Sequence, residues 1–393
     1  MNTTLTDRIF HAIDAERTKS ISFVDYMRSC LYDNEFGYYT RPEGREIGRD
    51  GDFYTSVSVG EGFGFFLGWA AEKRWREWFG NPKEFLMVEQ GAHDGRLAMD
   101  ILSGLAERNS PLADTVRYRI CEPDPGRRER LAESLRSGGF ADRIAIVSEI
   151  PEAPEPGSVG LFLCNELLDA FPVHRIRRSD GEWRECRVAR GAESELESEL
   201  ESESESESES ESGAAFAWSY EPIAEGSELA AAASRIPDAD SLPEGYTTEI
   251  CLELAPWMKD ATRWFERGVW WVIDYGREAI EYFSPERTDG TLRGYRSHRR
   301  CDDPLVAPGE IDLTTDVNFT DLERVAAAEG LKAEGLTDQH HFLIKAAEPW
   351  LREIEAGGPA ALEANRKRLR QFQTLTHPSL MGRAFKVAEY RRG

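Results

Sequence analysis

The sequence predicts an α/β fold, a doubly wound and mostly parallel sheet with helices on both faces. Three observations predict it. Apolar runs of strand length alternate with stretches whose apolar residues recur at helical spacing. Phe85-Leu86-Met87-Val88 ends in Glu89 and a turn holding Gly91 and Gly95, after which Leu97, Ile101 and Leu102 follow at helical spacing. Val159–Cys164 is apolar throughout, as a central parallel strand is when helices cover both faces.

The chain has 393 residues, enough for one large domain or two ordinary ones, and 40% of them are apolar. Ten glutamates lie between Glu193 and Glu211 in a nearly pure Glu-Ser run; without them the net charge of −24 falls to −14. Nucleic acid is a poor partner for such a surface. No apolar run is long enough for a membrane span, and the N-terminus lacks the apolar core of a signal peptide. Cys30, Cys121, Cys164, Cys186, Cys251 and Cys301 are scattered, with no C-x-x-C pair. Buried thiols in a reducing cytoplasm are therefore expected, with no metal site.

Residues 5–31 have the spacing of two amphipathic helices broken near Ser20. Phe36-Gly37-Tyr38-Tyr39 reads as a turn with exposed-type aromatics. The stretch 48–56, with Asp52, Thr55 and Ser56, is glycine-rich and polar; its composition favours a surface loop with Thr55 or Ser56 capping the next helix. A loop folded over a cofactor is the sharper alternative. Residues 61–79 predict a mostly buried helix whose Gly62, Gly64 and Gly68 allow close packing.

The opening strand, turn and helix come next. A second strand, 116–122, ends in Glu122, where nucleotide-binding α/β folds place an acid on the ribose; a solvated strand-end acid is the bland alternative. A charged helix over 125–137 and a third strand over 143–147 come after it. The fourth strand runs straight into Asn165-Glu166-Leu167-Leu168-Asp169. Asn165 is a natural N-cap, but Glu166 and Asp169 are not explained by capping; three apart, they share a face if the turn is helical.

Residues 173–188 predict a hairpin turning at Ser179-Asp180-Gly181. The Glu-Ser run, 193–212, is expected to be disordered, and Phe216–Tyr220 resumes as a strand. A helix over 254–266, a strand over 269–276, a polar aromatic loop over 290–298 and a helix opening at 312–319 complete the pattern. Strands near 331–336 and 341–345 predict a closing antiparallel pair, before a basic helical tail.

A glycine turn, a strand-end acid and a polar cluster after the fourth strand mark a Rossmann-like methyltransferase that uses S-adenosyl-L-methionine (SAM). G-x-G-x-x-G is absent, which disfavours a dehydrogenase, and no Lys-Ser/Thr follows the glycines to make a P-loop. On this reading Gly91 and Gly95 bring backbone to the amino-acid end of SAM. Glu89 anchors its ammonium and Glu122 its ribose. Glu166 and Asp169 hold a cationic nucleophile, with a carboxylate or His174 accepting its proton.

The chain also resembles the MidA family of SAM-dependent methyltransferases. The shared segments are Phe36–Tyr39, Gly51–Ser56, Glu89-x-Gly91, Asn165–His174, Ile273–Gly276, Gly290–Arg293 with His298, Asp312–Thr314, and Gln339 with Phe342-Leu343. The resemblance implies a class I methyltransferase sheet at 85–347, with an N-terminal helical segment and cofactor-covering loop at 1–84. It also implies an inserted α+β subdomain at 173–253 and a basic tail at 348–393. It implies SAM as cofactor and an arginine of a protein as acceptor, since the family includes a respiratory-complex assembly factor that methylates arginine. Two departures stand out: Ala92 and His93 replace the family's proline and middle glycine, and Val57-Ser58 replace proline and glutamate. Histidine tolerates positive φ better than most residues. A binding or assembly protein without turnover, or an enzyme with another acceptor, are the competing readings.

Overall fold

The computed structural model describes residues 4–41, 55–191, 215–296 and 299–393. Packing divides the chain into two compact units. The larger comprises Arg45–Asp169, Leu254–Ala279 and Asp316–Gly393; the smaller comprises Met1–Gly44, Ala170–Glu253 and Ile280–Thr315.

The larger unit opens with helix α1 (Gly62–Glu77). It continues through β1 (Phe85–Gln90), α2 (Arg96–Glu107), β2 (Val116–Cys121), α3 (Pro125–Ser137), β3 (Ile144–Val147) and β4 (Val159–Asn165). After an excursion into the smaller unit come α4 (Leu254–Ala261) and β5 (Arg267–Arg277). A second excursion precedes β6 (Val317–Asn318), α5 (Phe319–Ala328), β7 (Lys332–Asp338), α6 (Gln339–Ala364), α7 (Arg366–Thr376) and β8 (Phe385–Arg392). The sheet runs β3-β2-β1-β4-β5-β8-β7, with β6 beside the end of β5. β1 to β5 are parallel, and β8 is antiparallel to both neighbours. Strand order reverses between β1 and β4, and ligands of open α/β sheets bind at the carboxyl ends beside such a reversal.

Helical spacing on α1 and α2 puts Phe63, Phe66, Leu67, Leu97, Ile101 and Leu105 into one core with Leu161, Leu163 and Trp271 of the sheet. The expected close packing occurs at Gly64, where a Cβ would stand 2.5 Å from that of Asp100 on α2.

The closing antiparallel pair is formed by β7 and β8, not by a strand at 341–345. Those residues lie in α6. The Asp338 side chain caps it by accepting from the His341 N–H at 2.8 Å, and Phe342, Leu343, Ala346, Ala347 and Trp350 supply its buried stripe. The helix over 254–266 ends at Ala261, and the helix expected from 312 begins at Phe319, after the strands Asp312–Thr314 and Val317–Asn318.

In the smaller unit, Leu5–Ala15 and Phe23–Tyr32 are helices, with the short strand Ser20–Ser22 at the expected break. Ile9, Ile13, Phe23 and Tyr26 bury their faces with Val173, Val188, Phe216, Ile311 and Leu313. The N-terminal helices therefore pack with the inserted segments and do not form one segment over 1–84. His174–Ser179 and Glu182–Arg190 make the expected hairpin. Asp180 (φ 54°) and Gly181 (φ 78°) supply the two left-handed residues of a type I′ turn. Phe216–Pro222 and Thr247–Ile250 complete this sheet. Residues 293–296, expected in a loop, form a strand between Arg299–Cys301 and Asp312–Thr314. The aromatics of 36–39 are not exposed: Tyr38 is buried, and the Tyr39 hydroxyl donates to Asp312 at 2.8 Å. Thr291 donates through N (2.7 Å) and Oγ1 (3.1 Å) to buried Glu249, so the Gly290-Thr291 motif serves this unit's packing.

All six cysteines are free. No helix among the described residues is long and apolar enough to cross a membrane.

Candidate active site

The site is built at the carboxyl ends of β1, β2, β4 and β5. β1 ends at Gln90, and the chain turns through Gly91 (φ 79°), His93 (φ 48°) and Gly95 (φ 78°) into α2. Gly95 N–H donates to the Ala92 carbonyl at 2.8 Å, and Asp94 Oδ1 accepts from the Arg96 N–H at 3.0 Å. The His93 side chain keeps 49% of its surface exposed, so the imidazole is not buried beneath the turn.

The two glycines differ. Gly91 is exposed, although a Cβ there would stand 3.1 Å from the Leu167 side chain. Gly95 is buried, and a Cβ there would meet Leu131 at 2.9 Å and Leu135 at 3.0 Å. Gly95 therefore lets α3 approach the turn, Gly91 lets Leu167 approach it, and of the two only Gly91 has exposed backbone. Gly95→Ala is expected to cost about 2 kcal/mol, from left-handed strain plus overpacking. Chemical denaturation checks this; an unchanged midpoint would contradict the packing role.

Glu89 is 2% exposed and accepts from the Tyr118 hydroxyl at 2.7 Å. Burial pushes its carboxyl up to about 7, against the help of Tyr118. Glu122 follows β2 directly. Its N–H donates to Val147 O at 2.9 Å, and its Oε1 accepts from the Asp124 N–H at 2.9 Å. Burial raises its carboxyl, and Arg127, 3.6 Å away, opposes the rise.

Beyond β4 the chain makes a sharp polar turn. Glu166 sits in left-handed backbone (φ 51°), and its N–H continues the ladder to Ile273 O at 2.9 Å. Its Oε1 accepts from Asn165 Nδ2 at 3.0 Å and from the Ser56 N–H at 3.2 Å. Burial, then the charge of Asp169, pushes Glu166 up to about 8. Leu168–Ala170 is a single 3₁₀ turn, so Glu166 lies outside it. The two carboxylates are neighbours because of the bend, not because of a shared helical face. Asn165 Oδ1 is buried with no hydrogen-bond partner among the described residues.

A third acid joins them, one that in the sequence stands only as the end of a buried strand. Asp274 is 0% exposed; its Oδ2 accepts from Leu168 N–H (3.0 Å) and Asp169 N–H (3.3 Å), its Oδ1 from Tyr275 N–H (2.9 Å). Burial, then Asp169 and Glu166, raise it well above the usual carboxylate range. The Tyr275 hydroxyl donates to Asp169 Oδ2. In the sequence the pair shows only as an acid and an aromatic closing an apolar run, within the Ile273–Gly276 segment shared with the MidA family.

Thr55 Oγ1 accepts from the Ser58 N–H at 3.2 Å, but the expected cap is absent: α1 is capped at Glu61 with no side-chain bond, and the 3₁₀ turn Val57–Val59 at Ser56 with none. Ser56 is fully buried, and its hydroxyl donates to Gln339 Oε1 at 3.0 Å. Asp52 and His298 lie outside the described residues. His174 belongs to the smaller unit, where its Nδ1 stands 2.8 Å from Glu185 Oε1. The bond to His174, with Arg187, holds the Glu185 carboxyl low despite its burial.

These residues suit a sulfonium nucleoside: exposed glycine backbone, a buried acid at the end of β1, another at the end of β2, and carboxylates beyond β4. Comparison with known proteins agrees. Residues 66–337 match the family described as S-adenosyl-L-methionine-dependent methyltransferases. The mitochondrial protein arginine methyltransferase NDUFAF7 homolog of Drosophila melanogaster is 29% identical over 396 residues, covering 94% of this chain and 81% of that protein. Human NDUFAF7, also named a mitochondrial protein arginine methyltransferase, is 26% identical, with 94% and 79% covered. Among solved structures, a methyltransferase candidate from Burkholderia thailandensis bound to S-adenosyl-homocysteine superposes with a TM-score of 0.77. It is 25% identical, and the match covers 99% of this chain and 92% of that one.

Proposed function

The chain belongs to this family of SAM-dependent methyltransferases, as a MidA-like member, and from that premise we propose that its acceptor is an arginine guanidinium in a protein. The observation that carries the proposal is the acidic turn beyond β4, where Glu166 and Asp169 stand beside the glycine turn of β1. Two carboxylates match the forked donors of a guanidinium. The arginine methyltransferase names of the relatives support the same acceptor.

SAM, when bound, supplies a methyl group on an electrophilic sulfonium. The chain's own residues bind and orient. Gly91 and Glu89 are assigned to the amino-acid end of the cofactor, and Glu122 to its ribose hydroxyls. Glu166 and Asp169 hold the guanidinium in place, which is the main task when the electrophile is already reactive. Arginine is protonated at neutral pH, so one proton must leave. A carboxyl poised near 8 is a better proton acceptor than an ordinary glutamate, and an adjacent cation favours its ionised form. Asn165 orients Glu166. The Ser56 N–H donates to the Glu166 carboxylate, and Thr55 Oγ1 accepts from the Ser58 N–H in the same turn. A respiratory-complex subunit is the first acceptor to test, and the six free thiols favour a reducing compartment such as the cytoplasm.

The test is incubation with methyl-labelled SAM and lysate of the host, followed by digestion and analysis of the labelled residues. Label recovered as methylarginine is the expected result. Label confined to another residue or to a small molecule overturns the acceptor and leaves the methyltransferase standing.

A further inference from the structure

We infer that Asp274 and Tyr275 are positioning residues of the methyl-transfer site, a clamp on β5 that fixes how Glu166 and Asp169 meet the acceptor. The inference rests on the role proposed above for those two acids. Three consecutive β5 residues each hold a different part of the turn. Ile273 O takes the Glu166 N–H at 2.9 Å, Asp274 takes the N–H groups of Leu168 and Asp169, and the Tyr275 hydroxyl reaches the Asp169 carboxylate.

The turn needs such support. A glutamate in left-handed backbone is unfavourable by itself and persists only where its surroundings over-determine it. The Asp274 bonds bridge 106 and 105 residues of sequence, so they are tertiary and not part of a local turn. Asp274 has no exposed surface and is occupied by three backbone donors, so it touches no ligand itself. The Tyr275 ring packs edge-on against Phe385 at 5.9 Å between centroids, which keeps the phenol in place independently of Asp169. The hydroxyl donates to the carboxylate assigned to the cation, and so fixes where that oxygen points.

Tyr275→Phe is the decisive variant, because the ring and its packing remain. The probes are S-adenosyl-homocysteine by calorimetry and N-acetyl-arginine methylamide by NMR titration in its presence. Tyr275→Phe is expected to hold S-adenosyl-homocysteine within about threefold of wild type while binding the arginine probe about tenfold more weakly at pH 7. General loosening of the turn would weaken both ligands, whereas loss of the one hydrogen bond to Asp169 weakens only the arginine probe. Asp274→Asn should weaken the probe more strongly, but it risks unfolding the turn, so the phenylalanine variant decides. If Glu166→Gln weakens the probe and Tyr275→Phe leaves probe affinity unchanged, the clamp is wrong. If neither variant affects the probe, the acceptor role of the acids is what fails.

Discussion

Glu166→Gln is expected to lower turnover by at least about 100-fold while leaving S-adenosyl-homocysteine affinity within about twofold, the signature of losing a proton acceptor and charge partner. The substitution is nearly isosteric. The amide can keep its carbonyl toward Asn165 Nδ2 and the Ser56 N–H, which Glu166 Oε1 accepts from at 3.0 and 3.2 Å. The loop before α1 thus stays docked and the fold survives. What disappears is the negative charge, and with it the bidentate partner for a guanidinium and a place for its proton. Isothermal titration with S-adenosyl-homocysteine, beside incorporation of label into the acceptor, separates the two effects. Equal turnover would take Glu166 out of the mechanism; equal loss of cofactor affinity would move it into the cofactor site.

Glu89→Gln should show a second large effect, one that depends on pH. The Glu89 carboxyl is raised in the fold to about 7 from an ordinary 4.5. The fold therefore prefers it protonated. That stabilisation is fully present below about pH 4.5 and is lost as pH rises through 7, a span worth roughly 3 kcal/mol. Glutamine cannot ionise, so the variant should be more stable than wild type at pH 8.5 and gain nothing at pH 4.5. The Tyr118 hydroxyl keeps an acceptor in either case. Against this gain, cofactor affinity should fall about tenfold if Glu89 meets the ammonium. Melting curves at the two pH values and one calorimetric titration decide. A stability difference that does not change with pH would place the Glu89 proton elsewhere.

Much of this is readable from the chain. The apolar run of Val159–Cys164 and the Glu89–Gly95 turn place β4, β1 and the head of α2, because burial on both faces leaves an unmistakable pattern. The region 341–345 misleads, since a few alternating residues look like a strand until Trp350 and Ile354 are seen to extend the helical stripe. The site is half legible. Glu166 and Asp169 announce themselves as acids that capping does not explain. The left-handed backbone at Glu166 gives no signal, because glycine or asparagine is the residue type that normally marks it. Asp274 is invisible as a partner for a different reason: its bonds connect strands brought together only by sheet order. Gly95 reads as cofactor-facing, yet nothing in a glycine-rich turn distinguishes a glycine that faces a ligand from one that admits a helix.

The smaller unit is assembled from Met1–Gly44, Ala170–Glu253 and Ile280–Thr315. A nascent chain therefore carries Ile9, Ile13, Phe23 and Tyr26 without their final neighbours until Leu305, Ile311 and Leu313 have left the ribosome. Until then their apolar faces are covered only in part, by Val173, Val188 and Phe216, which makes the incomplete chain a natural client for holdase chaperones. A premature stop before the third stretch would leave this core without Leu305, Ile311 and Leu313.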